Sequence, residues 1–164
     1  FAVATALVDG RPVAVAGGED EVVRIWDLAA GRLTGPPLTG HDGTVEAVAT
    51  TVLDGRPVAL TGSGDETLRV WDLASGQAGH VLEGHSAGVR AVAIMPDGRQ
   101  AVSASDDNPL RVWDLGTYDE VCRTYLDAAS LAVEWVDQSR LVVGDRGGQV
   151  FLFELITGNG NSKE

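Results

Sequence analysis

The chain has 164 residues, 24 acidic against 12 basic, and its net charge of −12 repels phosphate backbones and anionic lipid, which excludes non-specific binding to nucleic acid or to a bare membrane surface. A single cysteine, Cys122, excludes an internal disulfide and fits a reducing compartment, so a cytoplasmic location is expected. No run of about 18 apolar residues occurs, the length that a membrane-spanning helix requires.

Taken from the N-terminus, residues 1 to 28 and 46 to 73 align without a gap at an offset of 45, with 17 of 28 positions identical, so they are duplicated units. Each opens on an alanine-rich run (Ala2 and Ala4; Ala47 and Ala49), and a third such run holds Ala91 and Ala93. Alternation at period two predicts a strand there, and small side chains suit an innermost strand that crowds its neighbours about an axis. Asp9-Gly10, and again Asp54-Gly55, form a turn into a second apolar strand. A third strand ends each unit in the same words: Arg24-Ile25-Trp26-Asp27-Leu28, Arg69-Val70-Trp71-Asp72-Leu73 and Arg111-Val112-Trp113-Asp114-Leu115. A worn copy, Val150-Phe151-Leu152-Phe153-Glu154-Leu155, stands where the fourth is due.

A fourth strand is expected over 32–38, and Pro36-Pro37 place it on an outer edge, because proline removes a ladder donor. No segment sustains a 3.6-residue apolar period, so helix is not expected. Trp26, Trp71, Trp113 and Phe153 follow one another at 45, 42 and 40 residues, the period of one four-stranded propeller blade. The expected fold is therefore all-β, with about four blades: 1–39, missing its leading Gly-His turn; 40–83; 84–126; and a degenerate 127–156 lacking an outer strand. A polar tail, 157–164, is expected to be disordered. Seven blades of this period need on the order of 290 residues, so the four are expected to be part of a larger or assembled propeller.

Gly40-His41 and Gly84-His85 precede Trp71 and Trp113, with an acidic residue six before each tryptophan and a hydroxyl ten before. With these marks the chain resembles the WD40 repeat family over residues 1 to 155. Its alanine-rich repeats and the phrase Gly35-Pro36-Pro37-Leu38-Thr39-Gly40-His41 also resemble the C-terminal WD-repeat portion of larger bacterial regulatory proteins. The resemblance implies that His41, Thr61, Asp65 and Trp71 bond to one another in the second unit, and His85, Ser103, Asp107 and Trp113 in the third. The chemistry suits it: an indole N–H only donates, a hydroxyl accepts it and donates onward, histidine relays, and an aspartate accepts last. The first unit has Asp20 and Trp26 but Ala16 at the hydroxyl position. The fourth has Val143, Gly147 and Phe153, with Tyr125 or Leu126 in the histidine's place, so apolar packing alone must hold it. Trp135 falls outside the repeat's tryptophan position and reads as a core residue.

Ser103, His85 and Asp107 have the residue types of a hydrolase's nucleophile, base and orienting acid. The same trio recurs as Thr61, His41 and Asp65, tied to a tryptophan at fixed spacing and without elbow glycines, so a structural network is expected and a hydrolase is the lesser alternative. His41 and His80 fall in the second unit and His85 opens the third, and Cys122 stands alone without Cys or His at ligand spacing, so no metal is implied. The acidic steps Glu19-Asp20 and Asp106-Asp107 lack the further oxygen ligands of a calcium loop. No cofactor motif occurs. Arg24, Arg69 and Arg111 lie on the tryptophan's side of the strand, where stacking or a salt link is expected.

The function expected is a non-catalytic protein–protein interaction scaffold, with a small-ligand-sensing propeller as the other alternative. By the family resemblance, Glu19, Asp42, Thr44, Ser86, Asp106 and Arg146 are the candidate partner-binding face. The apolar strand 149–155 has no following partner strand and is expected to pair with a second copy or with further blades.

Overall fold

The structure is a computed structural model that describes residues 2–126 and 128–155; the tail at 157–164 lies outside the described residues. The duplicated units fold as antiparallel meanders because each short apolar strand is joined to the next by a turn. The first sheet runs β1 (Ala2–Val8), β2 (Arg11–Gly17), β3 (Val23–Asp27) and β4 (Arg32–Leu33). The second runs β5 (Val45–Leu53), β6 (Arg56–Ser63), β7 (Leu68–Asp72) and β8 (Gln77–Leu82). The third holds β9 (Val89–Ile94), β10 (Gln100–Ser105), β11 (Pro109–Asp114) and β12 (Glu120–Tyr125), and the fourth only β13 (Ser130–Trp135), β14 (Arg140–Asp145) and β15 (Val150–Glu154). Asp9 and Gly10 take φ of +50° and +75°, and Asp54 and Gly55 +49° and +79°. Two successive left-handed residues make the tight hairpin turn whose twist matches its strands.

These four sheets are propeller blades, set side by side with their first strands innermost. Contacts between inner strands run from β1 to β5, from β5 to β9 and from β9 to β13. No comparable contact joins β13 to β1 among the described residues, so the blades form an open arc. The outer strand of the first blade is shorter than the proline-bearing stretch suggested. Pairing stops at Leu33, the chain crosses Gly35-Pro36-Pro37 off the ladder, and a single bridge between Val23 and Leu38 restores contact. Two consecutive prolines remove two donors, which leaves the intervening backbone without a ladder.

Period-two alternation gives each blade two apolar faces. One face carries the tryptophan and meets the preceding blade; the other meets the following one. Val13, Val15, Val23 and Ile25 of the first blade thus form one core with Ala59, Trp71 and Leu73 of the second. Leu60, Leu68 and Val70 of the second pack with Ala101, Trp113 and Leu115 of the third. Val102, Leu110 and Val112 of the third close on Trp135, Leu141 and Val143 of the fourth. Trp135 is buried in that last core, at the end of an inner strand.

Backbone meets side chain at each junction. A Cβ placed on Gly17 would lie 2.4 Å from Val45 Cγ1, and one on Gly62 would lie 2.5 Å from Val89 Cγ1. The register places Ala104 and Ser130 at the counterpart positions of the third junction, with a methyl added on one side and a smaller side chain on the other. Gly62→Ala is therefore expected to destabilise by about 1 to 3 kcal/mol through overpacking. Adding Val89→Ser should recover part of that loss, with a coupling of at least about 0.5 kcal/mol in a double-mutant cycle. Strictly additive denaturant-unfolding energies would contradict this account of the junction.

Candidate functional site

The second and third blades each build a buried polar chain from four side chains on different elements. In the second, Trp71 Nε1–H on β7 donates to Thr61 Oγ1 on β6 at 2.8 Å, and that hydroxyl lies 2.8 Å from His41 Nε2. His41 Nδ1 lies 2.7 Å from the Asp65 carboxylate in the β6–β7 turn. An indole N–H can only donate and a carboxylate only accept, so the hydroxyl donates to Nε2 and the Nδ1–H donates to Asp65. The third blade repeats it: Trp113 donates to Ser103 at 2.8 Å, Ser103 meets His85 Nε2 at 2.7 Å, and His85 Nδ1 meets Asp107 at 2.8 Å. Arg111 Nε lies 3.3 Å from the same Nδ1, but that nitrogen carries the proton given to Asp107, so Arg111 acts there as a charge and not as a donor.

Each aspartate also clamps the loop after its histidine. Asp42 N–H donates to Asp65 at 3.0 Å and Ser86 N–H to Asp107 at 2.9 Å. Ser63 and Ser105, which the repeat comparison above did not single out, tie the same loops from the strand side. Their hydroxyls donate to the carbonyls of Gly43 and Ala87, each at 2.9 Å. Their signal was present in the sequence: a serine two before the network aspartate in both complete units.

The first and fourth blades lack the chain. Trp26 is 41% exposed, whereas Trp71 and Trp113 are 1% and 2% exposed. In the fourth blade Val143 and Phe153 fill the hydroxyl and indole positions as core side chains, and Leu126 packs on the same cluster while Tyr125 is exposed.

The six candidate face residues sit on turns at one end of the arc. Glu19 lies in the β2–β3 turn, Asp42 and Thr44 before β5, Ser86 before β9, Asp106 in the β10–β11 turn and Arg146 in the β14–β15 turn. Glu19, Asp42, Ser86 and Arg146 are exposed; Thr44 and Asp106 are half-buried. Asp106 is engaged from two sides, by Arg146 at 2.8 Å and by Arg90 at 2.5 Å, and Arg90 reaches Glu46 at 2.7 Å. An ionic chain thus crosses from the second blade to the fourth through two residues, Glu46 and Arg90, that repeat comparison could not find because neither recurs. Of the three strand arginines, Arg24 pairs with Asp20 at 2.6 Å and the buried Arg111 pairs with Glu120, whereas Arg69 Nε is buried without a hydrogen-bond partner among the described residues. Glu19-Asp20 and Asp106-Asp107 are accounted for by these turns, and no three metal-ligating side chains gather among the described residues.

Ser103 is fully buried, and its oxygen already takes the Trp113 N–H and faces His85. The distances are those of a relay, but the hydroxyl is out of reach of any substrate carbonyl.

Residues 34–72 and 76–114 each match the family model described as WD domain, G-beta repeat. These two segments, which hold β5 to β7 and β9 to β11, are therefore WD40 repeats within the all-β blades described above. No curated relative matches the chain.

Trp71→Phe removes the donor that Thr61 accepts and is expected to cost about 1 to 3 kcal/mol, whereas Trp26→Phe, at an indole open to water, should cost less than about 0.5 kcal/mol. Equal shifts of the urea midpoint for the two variants would contradict the assignment.

The networks also set a pH dependence. Burial disfavours the imidazolium of His41 and His85 and lowers both below the ordinary 6.5, against the upward pull of Asp65 and Asp107. Burial pushes Asp65 up, but hydrogen bonds from the Asp42 N–H, His41 and the hydroxyl and N–H of Thr67 outweigh it and hold the carboxyl at about 2. Asp107 is lowered in the same way, burial being outweighed by the Ser86 N–H, His85 and Ser105. All four groups bind a proton more readily unfolded than folded, so acidification favours the unfolded chain. Stability is expected to fall as pH drops below about 6.5 through the histidines, and again from 3.8 toward about 2 through Asp65. Between about pH 8 and 5, His85→Gln should lose part of the slope that the wild-type urea midpoint shows. A wild-type midpoint that is flat over that range would overturn the linkage.

Proposed function

We propose that the chain is a non-catalytic protein-binding scaffold whose partner face is the end carrying Glu19, Asp42, Thr44, Ser86, Asp106 and Arg146. The observation that supports it is a contrast within the loops before β5 and β9: their backbones are clamped by half-buried aspartates and buried serines, while the outer side chains of Asp42 and Ser86 are exposed. Loops fixed before binding lose little entropy when a partner docks. With Arg146 and Asp106 engaged with each other, Glu19 and Asp42 leave the face acidic, which suits a basic segment of the partner. The reading extends to a cytoplasmic setting, where the exposed thiol of Cys122 stays reduced, and to a place within a larger bacterial regulatory protein.

The free end of the arc belongs to the same proposal. Strand β15 has no outer neighbour among the described residues, and Val150 and Leu152 are 72% and 63% exposed. Their counterparts Val23 and Ile25, Leu68 and Val70, and Leu110 and Val112 are buried against a following blade. A further blade, from a second copy or from additional repeats, would cover them.

A photo-crosslinking residue placed at Asp42, at Leu152 or at the exposed outer-strand position Gln77 tests both parts in one set of samples. Adducts with other proteins are expected from position 42, adducts with a second copy or another blade-bearing protein from position 152, and none from position 77. Labelling from position 77 as strong as from position 42 would overturn the partner face, and no adduct from position 152 would overturn the end contact.

A further inference from the structure

At the end of the arc opposite the Gly-His loops, two clefts open between neighbouring blades, and counterpart residues line them. The cleft between the first and second blades is floored by Val13, Ile25, Leu38 and Leu73 and encloses about 520 Å³. The cleft between the second and third is floored by Val58, Val70 and Leu115 and encloses about 200 Å³. The difference has a definite cause. In the smaller cleft Tyr118 stacks on His80 with ring centroids 3.7 Å apart and planes 17° from parallel, and it packs against the apolar core of that junction.

Neither ring has a counterpart in the larger cleft. Tyr118 is the fourth residue after Asp114, and the fourth after Asp72 is Gly76. The two share one left-handed backbone conformation, φ +67° and +69°. That conformation is unfavourable for a residue with a Cβ, so Tyr118 persists in it because its ring is seated. Opposite, His80 stands two before Leu82, and Pro36 stands two before Leu38. The first blade's outer strand ends at Leu33 and crosses Gly35 and Pro36 off the ladder, which widens the gap. A Cβ on Gly76 would meet only Leu38 Cδ2, at 3.7 Å, an ordinary contact.

We infer that the cleft between the first and second blades is a binding site for an aromatic side chain presented by a partner protein, seated over Gly76 against Pro36 as Tyr118 is seated against His80. The apolar floor takes the ring face, since an aromatic ring offers a large flat apolar surface at low entropic cost. Asp9 and Arg11 on the rim supply an acceptor and a donor for the main chain on either side of that residue. The site lies at the opposite end from the acidic face proposed above and does not depend on it, so either can fail alone.

Titration of the chain with N-acetyl-L-tyrosinamide, followed by the backbone amides in NMR, tests the site. Saturable shifts are expected at Arg11, Gly35, Leu73 and Gly76, with N-acetyl-L-alaninamide producing none. Gly76→Tyr, which supplies from within the ring that the neighbouring cleft already has, should abolish them. Should that variant fail to fold, Gly35→Phe fills the same space from the other wall, where a Cβ meets nothing within 4 Å, and should also abolish them. The inference is overturned by an absence of saturable shifts at these amides, by equal shifts from the alanine derivative, or by shifts that survive the filling variant. The same shifts on raising protein concentration without the probe would assign the cleft to a second copy and overturn the partner.

Discussion

A sheet with two apolar faces is dry only where another sheet covers each of them, and every blade in this chain depends on its neighbours for that cover. The same tryptophan at the same strand position shows it. Trp71 and Trp113 are sealed by the blade before them, and Trp26, which has none among the described residues, stands open to water. The cross-strand partners are alike in all three, Ala14, Ala59 and Ala101, small residues that leave room for the indole. What differs is the neighbour, which is why stability in such an array is a sum of junctions and not a property of one core.

The polar networks follow from that cover. An indole N–H sealed between two sheets needs an acceptor, and the hydroxyl that accepts it needs an outlet for its own proton; leaving either unpaired costs more than the bond itself contributes. Blades two and three meet this demand with four residues each. In the first blade Trp26 is 41% exposed and Ala16 stands at the hydroxyl position. The fourth escapes it by removing the donor: Phe153 has no N–H, and with it the hydroxyl becomes Val143 and the turn aspartate Gly147. With Tyr125 or Leu126 in the histidine's place, the losses at all four positions of this repeat are one chemical change, because each group is there to satisfy the next.

Much of this was legible in the sequence. The period and the strand order could be read from marks that recur at fixed spacing, and the family resemblance implied the members of both four-residue networks. What did not recur could not be read: the chain Glu46–Arg90–Asp106–Arg146 joins three blades through residue types that change from one repeat to the next at the same positions. The prolines located the outer edge of the first blade but not its shortness, because a ladder's length depends on which backbone groups face it. The two clefts lay in between. Gly76 and Tyr118 could be aligned by hand, but only the packing of two blades shows that both border a cavity, and that one cavity is filled.

The differences between repeats are therefore better compared across junctions than along the chain. Gly17 and Gly62 each accept a valine from the next inner strand, while the third junction substitutes Ala104 and Ser130 together, so that a notch and its filler change in step. At the last blade the counterpart notch is Gly144, where a Cβ would meet nothing nearer than Ala132 of its own sheet, at 3.7 Å. A glycine there costs conformational entropy in a strand and, within its own sheet, returns nothing. Beside it lie Val150 and Leu152, at positions that every earlier blade buries. Notch and apolar strand together repeat what the first two junctions offer on this side, Gly17 with Val23 and Ile25 and Gly62 with Leu68 and Val70, and a further blade of the kind proposed above would meet them there.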